Sequence, residues 1–367
     1  MRGPAVFPIM IAAGGTGGHF FPAEALASEL LARGRRVALM TDTRSGGLQS
    51  PVFAGLEQYV ISGAGIAGRG WRAGSAMLSL ARGVAEARRI VVRSNAAVVV
   101  GFGGYPCVAP VLATRLMRRR PPVVLHEQNA VLGRANRFLA RHTDILALSF
   151  AATERVPETA ATVVTGNPVR PTVRSVPYVP PSDVLRVLVL GGSLGARVFS
   201  DVVPPALVAL PEGLRTRLSV VQQCRAEDLA QVRAAYDAAE ISAELSAFFP
   251  DVAERLAAAH LVIARAGAST VAELAVAGRP AILVPLPGAI DDHQSANARA
   301  LEQARGASVI AQRDFTPDAL SGRLAALLAS PDMLSHAALA AGSIARADAT
   351  ARLADVVEQL MRQEVSA

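Results

Sequence analysis

Residues 7–42 read "FPIMIAAGGTGGHFFPAEALASELLARGRRVALMTD". A short apolar run enters a loop in which four of the five residues 14–18 are glycine. "PAEALASELLARG" then reads as an amphipathic helix ending at Gly34, and a second apolar run closes on Asp42. Strand, glycine loop, helix and strand in this order open a doubly wound parallel sheet, an α/β architecture. Glycine lets the chain approach a ligand closely at the place where a helix presents unpaired N–H groups, so such a loop suits a phosphate.

The same logic continues outward. "NAAVVVGFGG" (95–104) and "PPVVLHEQN" (121–129) are buried strands ending in polar or glycine loops. Residues 166–184, "GNPVRPTVRSVPYVPPSDV", hold five prolines and no apolar period, and read as a linker. "LRVLVLGGSLGARVFSDVVPPALVAL" (185–210) then repeats the opening pattern, and "HLVIARAGASTVAELAVAGRPAILVPLP" (260–287) adds two strands around a helix. The chain of 367 residues therefore reads as two domains, 1–166 and 167–347. The helical segment "ATARLADVVEQLMRQEV" (349–365) is expected to pack back on the first. Ligands of doubly wound sheets bind beyond the carboxyl ends of the strands, which directs attention to "GGTGGH", "FGGYP", "HEQN", "TGNPVR", "GGSLGA", "RAGASTVAE" and "DDHQSAN".

Composition removes several chemistries. All 37 basic residues are arginine, so Walker A loops, pyridoxal phosphate and Schiff-base mechanisms lack their lysine. G-x-G-x-x-G fails in both loops, with Phe20 in place of the third glycine and Ser193 in place of the second. That argues against a nicotinamide dehydrogenase, although Asp42 stands where such an enzyme keeps its ribose acid. The two cysteines fit neither a disulfide scaffold nor a zinc site, and no H-E-x-x-H pair occurs, so no metal is expected. Residues 94–114 are uncharged, but their glycines and prolines read as strand, loop and helix start rather than a membrane span. The opening residues read as a strand and not as a signal peptide.

Charge is uneven. Residues 1–165 hold 19 arginines against 9 carboxylates, a net of +10, and the remainder hold 18 against 21, a net of −3. The basic half implies an anionic partner. With 4% aromatic residues and no recognition motif, that partner is not read as nucleic acid. "GIAGRGWRAGSAMLSLARG" (65–83) and "RLMRRRPP" (115–122) mix apolar residues with arginine in the manner of a membrane-surface segment, or of an ordinary amphipathic helix beside a solvated charge run.

His19, His126 and His293 fall in strand-end loops, whereas His142 and His260 lie beside apolar runs and read as structural. Ser269 and Thr270 are placed to cap a helix in which Glu273 either helps the helix start or accepts from ribose hydroxyls. Arg170 is either solvated or a charge clamp on a diphosphate.

Six of these motifs, "GGTGGHFFP", "GFGGYP", "HEQN", "TGNPVR", "GGSLGA" and "RAGASTVAEL", resemble in content and order those of the MurG family of UDP-N-acetylglucosamine transferases, over nearly the whole chain. The resemblance implies a GT-B fold, two Rossmann-like domains facing a cleft. It implies inverting transfer of GlcNAc from UDP-GlcNAc to the MurNAc 4-hydroxyl of lipid I, giving lipid II, with no cofactor. The enzyme would sit peripherally on the cytoplasmic face of an anionic inner membrane. The same fold would also serve a glycolipid synthase or a UDP-GlcNAc 2-epimerase. The resemblance places the donor on the second domain. Glu273 would hold the ribose, the backbone near Phe249 the uracil, Ser193 and Arg170 the diphosphate, and Gln294 the GlcNAc hydroxyls. Ala268, Ser269, Thr270, Val271 and Ala272 would line the donor site. Thr16, Gly17, Gly18 and Asn129 would face the sugar, and Gly15, His19 and Tyr105 the acceptor. An inverting attack needs a base for the acceptor hydroxyl, and proton transfer near neutral pH favours His19. His19 could instead bind the acceptor diphosphate, with Glu127 or a water as the base. "QQCR" (222–225) departs from the family's His-Gln-Thr-Gly and leaves that loop's shape open.

Overall fold

The structure is a computed structural model. It describes residues 7–14, 17–42, 50–62, 71–192 and 195–365, without the side chains of 71–75 and 363–365. The chain divides into two compact units, Met1–Arg170 with Asp348–Ala367, and Pro171–Ala347.

In the first unit the order is β1 (Ile9–Ala12), α1 (Gly17–Ala32), β2 (Val37–Asp42), α2 (Pro51–Ala54), β3 (Glu57–Ile61), α3 (Trp71–Ser94), β4 (Val98–Gly101), α4 (Val108–Arg115), β5 (Val123–Glu127), α5 (Arg134–Leu139), β6 (Ile145–Leu148) and β7 (Thr162–Val164). The seven strands are all parallel, in the order β3-β2-β1-β4-β5-β6-β7. The chain builds outward from β1 in one direction, returns, and builds outward from β4 in the other. The β1/β4 boundary is therefore the switch point at which such sheets bind ligands.

The central strands are buried on both faces, as parallel strands covered by helices must be. Alternation sorts their side chains. Ile9, Ile11, Val98, Val100 and Val124 pack with α1, whereas Met10, Ala12, Val99, Val123 and Leu125 pack toward α3 and α4.

The second unit contains β8 (Leu185–Leu190), α6 (Arg197–Val208), α7 (Glu212–Arg215), β9 (Leu218–Gln223), α8 (Leu229–Ala238), β10 (Ser242–Ser246), α9 (Val252–Ala258), β11 (Leu261–Ala264), α10 (Ala268–Ala277), β12 (Ala281–Leu283), α11 (His293–Gln303), β13 (Ala307–Val309), α12 (Pro317–Leu328) and α13 (Pro331–Ser343). Its six parallel strands run β10-β9-β8-β11-β12-β13, with the switch point at β8/β11.

The chain then returns to the first unit as α14 (Ala349–Val365), which lies on α1. Leu353, Ala354 and Val357 are fully buried in the core that α1 shares with β1. Arg33 pairs with Asp355 at 2.6 Å and Glu358 at 3.1 Å, and Arg35 pairs with Glu358 at 2.6 Å. The helix α1 begins five residues before Pro22, inside the glycine stretch, and α14 packs beside it while also reaching β4. Residues 94–114 form the end of α3, then β4, a turn and α4, and no single described helix is long and apolar enough to cross a membrane.

Candidate active site

Three motifs meet at the first switch point. The loop after β1 runs directly into α1, so His19 is the third residue of a helix rather than a loop residue. Gly17 and Gly18 are its first two residues, and Gly15 and Thr16 lie outside the described residues. The loop after β4 turns through Gly103 (φ +84°) and Gly104 (φ +69°), values that glycine alone adopts without strain. A Cβ at Gly103 would stand 3.4 Å from His19 Cε1, and one at Gly104 would stand 3.5 Å from Cδ2. The imidazole therefore lies against bare backbone. Tyr105, exposed, follows at once in a 3-10 turn.

The "HEQN" motif closes the site from β5. His126 and Glu127 are in the strand and not in its loop, because pairing with β6 continues through His126↔Ala147 and Glu127↔Leu148. His126 is entirely buried, and burial pushes its pKa down to about 4, so it is neutral at pH 7. Its Nε2 lies 3.0 Å from the Gly166 carbonyl. Gln128 ties three residues together, Phe102, His126 and His19. Its Nε2 is 2.9 Å from the Phe102 carbonyl and 3.2 Å from His126 Nδ1, and its Oε1 is 3.0 Å from His19 Nδ1.

Glu127, also buried, receives four donors. These are the backbone and side chain of Asn129 (both 3.0 Å), the Gly133 N–H (2.9 Å) and Asn136 Nδ2 (2.9 Å). A carboxylate offers about four lone-pair directions, and here all are used within the loop. Through these bonds the Glu127 carboxylate ties residues 127–136 together. Arg170 is not merely solvated, since its guanidinium stacks on the Phe21 ring of α1 at 5.3 Å.

In the second unit the loop after β8 is held by Gln223. Its Oε1 accepts the Gly191 N–H (3.1 Å), and its Nε2 donates to the carbonyls of Gly192 (3.0 Å) and Ala247 (3.3 Å). A Cβ at Gly191 would stand 2.5 Å from the Ala196 nitrogen, so the fold admits only glycine there. Ser193 lies outside the described residues. The departure at "QQCR" is filled rather than empty. Arg225 packs its Cγ where a side chain on Gly195 would reach and forms a two-pronged pair with Asp228, both arms at 2.8 Å. The helix that follows the loop, α6, has no side-chain cap.

The loop after β11 runs into α10. Its N-cap is Gly267 with no side-chain cap, so Ser269 and Thr270 are not caps; they lie within the first turn behind Ala268. The N–H groups at this terminus have no capping side chain, and the helix dipole adds positive character. The Ser269 hydroxyl is buried without a partner among the described residues. Val271, Ala272 and Glu273 follow in the helix, with Glu273 buried. Asn297 Nδ2 fixes this turn through the Ala266 carbonyl (3.1 Å), and Arg265 bridges it to the carbonyls of Val284 and Pro285 and to Gln312.

After β12, Asp291 and Asp292 both take positive φ, 55° and 53°, a strained turn of the kind found at ligand sites. His293 opens α11 and donates Nδ1–H to the Ile290 carbonyl at 2.7 Å, so it too is a helix residue and not a loop residue. Gln294 Oε1 accepts the Leu286 N–H at 3.0 Å, leaving the amide NH₂ as a donor. Phe249 is buried under the Arg255 guanidinium, 4.0 Å from its ring centre. His260 is structural, with Nδ1 accepting the Arg186 N–H at 3.0 Å.

Gln128, Gln223, Arg265 and Asn297 fall inside motifs the sequence marks but without a role of their own, and Asn136 lies outside all of them. The available signal was position: Gln128 directly follows a buried strand and Gln223 ends one, where an amide has loop backbone to hold.

Each unit thus presents a glycine loop and a helix N-terminus at a switch point, the arrangement of a nucleotide-sugar glycosyltransferase. The chain matches the Glycosyltransferase family 28 N-terminal domain over residues 9–147 and the C-terminal domain of the same family over residues 186–360. It is 62% identical over 364 residues to the UDP-N-acetylglucosamine--N-acetylmuramyl-(pentapeptide) pyrophosphoryl-undecaprenol N-acetylglucosamine transferase of Granulibacter bethesdensis, covering 98% of this chain and 95% of that protein. It is 54% identical to the transferase of the same name from Acidiphilium cryptum, covering both chains in full. The crystal structure of Acinetobacter baumannii MurG superposes with a TM-score of 0.78 at 31% identity, covering 96% of this chain and 99% of that one. The chain belongs to glycosyltransferase family 28, among these N-acetylglucosaminyltransferases, and has their GT-B fold.

Proposed function

We propose that this chain transfers GlcNAc from UDP-GlcNAc to the MurNAc 4-hydroxyl of lipid I, giving lipid II. The observation that carries the reading is full-length likeness at 62% identity to a transferase named for that reaction. The second unit takes the donor. The glycine loop Gly191–Gly195, held by Gln223, and the uncapped N-termini of α6 and α10 supply N–H groups for a diphosphate. Glu273 and the Ser269 hydroxyl suit the ribose, the backbone at Phe249 the uracil, and the Gln294 amide a sugar hydroxyl. Ser193 and Arg170 would add diphosphate contacts, and Thr16, Gly17, Gly18 and Asn129 would face the sugar.

The first unit takes the acceptor, with Gly15 and Tyr105 beside His19. The acceptor 4-hydroxyl attacks the anomeric carbon in line, UDP leaves from the opposite face, and His19 accepts the hydroxyl proton. Charge developing on the departing diphosphate is met by fixed backbone dipoles and arginine.

Lipid I is membrane-borne, and the reading extends to a peripheral enzyme on the cytoplasmic face of an anionic bilayer. On α3, exposed Met77 and Leu78 lie beside an arginine-rich face, and the first unit's basic excess acts at longer range.

The test is transfer from labelled UDP-GlcNAc to a lipid I analogue. Wild type is expected to transfer with or without chelator, and His19→Ala to lose about 10²–10⁴-fold in kcat. A mutant with unchanged kcat and raised acceptor KM makes His19 a binding residue. No transfer by folded wild type defeats the reading.

A further inference from the structure

Five groups form one continuous hydrogen-bonded line: the Gly166 carbonyl, His126, Gln128, His19 and, branching from Gln128, the Phe102 carbonyl. Its direction can be deduced. A backbone carbonyl only accepts, so the Gln128 atom 2.9 Å from Phe102 O is the amide nitrogen. Turning the amide over would set its oxygen against the carbonyls of Phe102 and His126. The other end agrees. Gly166 O also only accepts, so His126 carries its proton on Nε2 and offers the Nδ1 lone pair to the second hydrogen of the Gln128 NH₂. Burial that disfavours the charged imidazole keeps His126 in this neutral form. Both hydrogens of the Gln128 amide are thereby used, and its oxygen faces His19 Nδ1. An oxygen there requires a hydrogen on Nδ1, which leaves the lone pair of the neutral ring on Nε2.

We infer that Gln128, oriented by Phe102 and by His126 on the Gly166 carbonyl, is a positioning residue that holds His19 in the Nδ1–H tautomer and so presents Nε2 as the proton acceptor. The inference rests on His19 being the base of the proposed transfer. It also accounts for the bare turn at Gly103–Gly104. A Cβ at Gly104 would stand 3.6 Å from Nε2, in van der Waals contact with the atom that has to meet substrate. Nε2 itself makes no hydrogen bond to a described residue. Triads that use a carboxylate to orient a catalytic histidine do the same work with a charge. Here a neutral amide does it, and Glu127, the nearby carboxylate, is engaged elsewhere.

The test begins with the wild-type protein labelled with ¹⁵N-histidine, at a pH where the rings are neutral. His19 is expected to show a protonated Nδ1 and a bare Nε2, and His126 the opposite pair. Gln128→Leu, of similar volume but unable to hydrogen-bond, is expected to shift His19 toward the Nε2–H form. It should lower kcat by roughly 10–100-fold, the range seen for residues that orient metal-bound histidines, with KM for UDP-GlcNAc unchanged. In a His19→Ala background the same substitution is expected to cost nothing further, which a merely structural role would not reproduce. A bare Nδ1 on wild-type His19 overturns the inference without any variant, even if Gln128→Leu does not fold. So does a folded Gln128→Leu with wild-type kcat. Absence of transfer by folded wild type defeats the functional reading instead, and the ring spectra tell the two failures apart.

Discussion

Asn136 donates its side-chain amide to the buried carboxylate of Glu127 at 2.9 Å, from α5 back to the end of β5. Three further donors converge on the same carboxylate, so the loop between these elements is built around one charge. Glu127→Gln puts an NH₂ group where two N–H donors already point. The expected loss is roughly 1–3 kcal/mol of unfolding free energy, read by denaturant titration, together with loss of transfer. A variant that keeps wild-type stability and loses only kcat would assign Glu127 the role of base.

Gln223 holds the Gly191 N–H and the Gly192 carbonyl. Gln223→Ala frees a loop that a diphosphate needs preformed. KM for UDP-GlcNAc is expected to rise about tenfold, equivalent to roughly 1.4 kcal/mol, while KM for the acceptor stays the same. Equal changes in both constants would show a loss of folding rather than of donor binding.

Stability should fall in mild acid. His126 has its folded pKa pushed down to about 4 by burial, below the ordinary value of 6.5. The unfolded chain therefore binds the extra proton first. The stabilisation is complete above pH 6.5 and is lost as pH falls toward 4, to the extent of roughly 3 kcal/mol. His142 and His260 are shifted the same way, chiefly by burial. Unfolding curves at pH 7 and pH 4.5 measure the slope, and it should be shallower in His126→Gln.

Much of this was legible in the sequence, and the reasons are particular. "FPIMIA" and "LRVLVL" announce buried parallel strands because both faces of such strands are apolar. Glycines 103 and 104 mark left-handed turns, and Gly191 a close approach that only glycine allows. What stayed hidden depends on partners far away in the chain. His19 meets Gln128 across 109 positions and Arg33 meets Glu358 across 325. Local pattern put His126 in a loop because a histidine after a strand is usually at its mouth, whereas pairing with β6 carries the strand through it. Ser269 and Thr270 looked like caps, but Gly267 occupies that position.

On the first unit, Met77 and Leu78 are each 74% exposed on α3. If α3 meets an anionic bilayer, vesicle binding should weaken steeply as salt rises from 0.1 M, where the screening length is about 10 Å. Met77→Asp with Leu78→Asp should reduce it further, with KM for a water-soluble acceptor analogue unchanged. Binding insensitive to salt would remove the electrostatic part.

Leu353→Ala, in a fully buried position of α14, should cost about 2–5 kcal/mol. Because α14 lies in the first unit's core, the loss should appear in hydrogen exchange of β1 and α1 and spare β8 and α6.

The placement of α14 also sets an order of events during synthesis. Residues 171–347 form the second unit without interruption, so it has all its parts while the ribosome is still working. The first unit, begun earlier, lacks Leu353, Ala354 and Val357 until α14 emerges behind the second unit. Its α1 spends translation with an uncovered apolar side. The half of the molecule that carries His19 is thus started first and finished last.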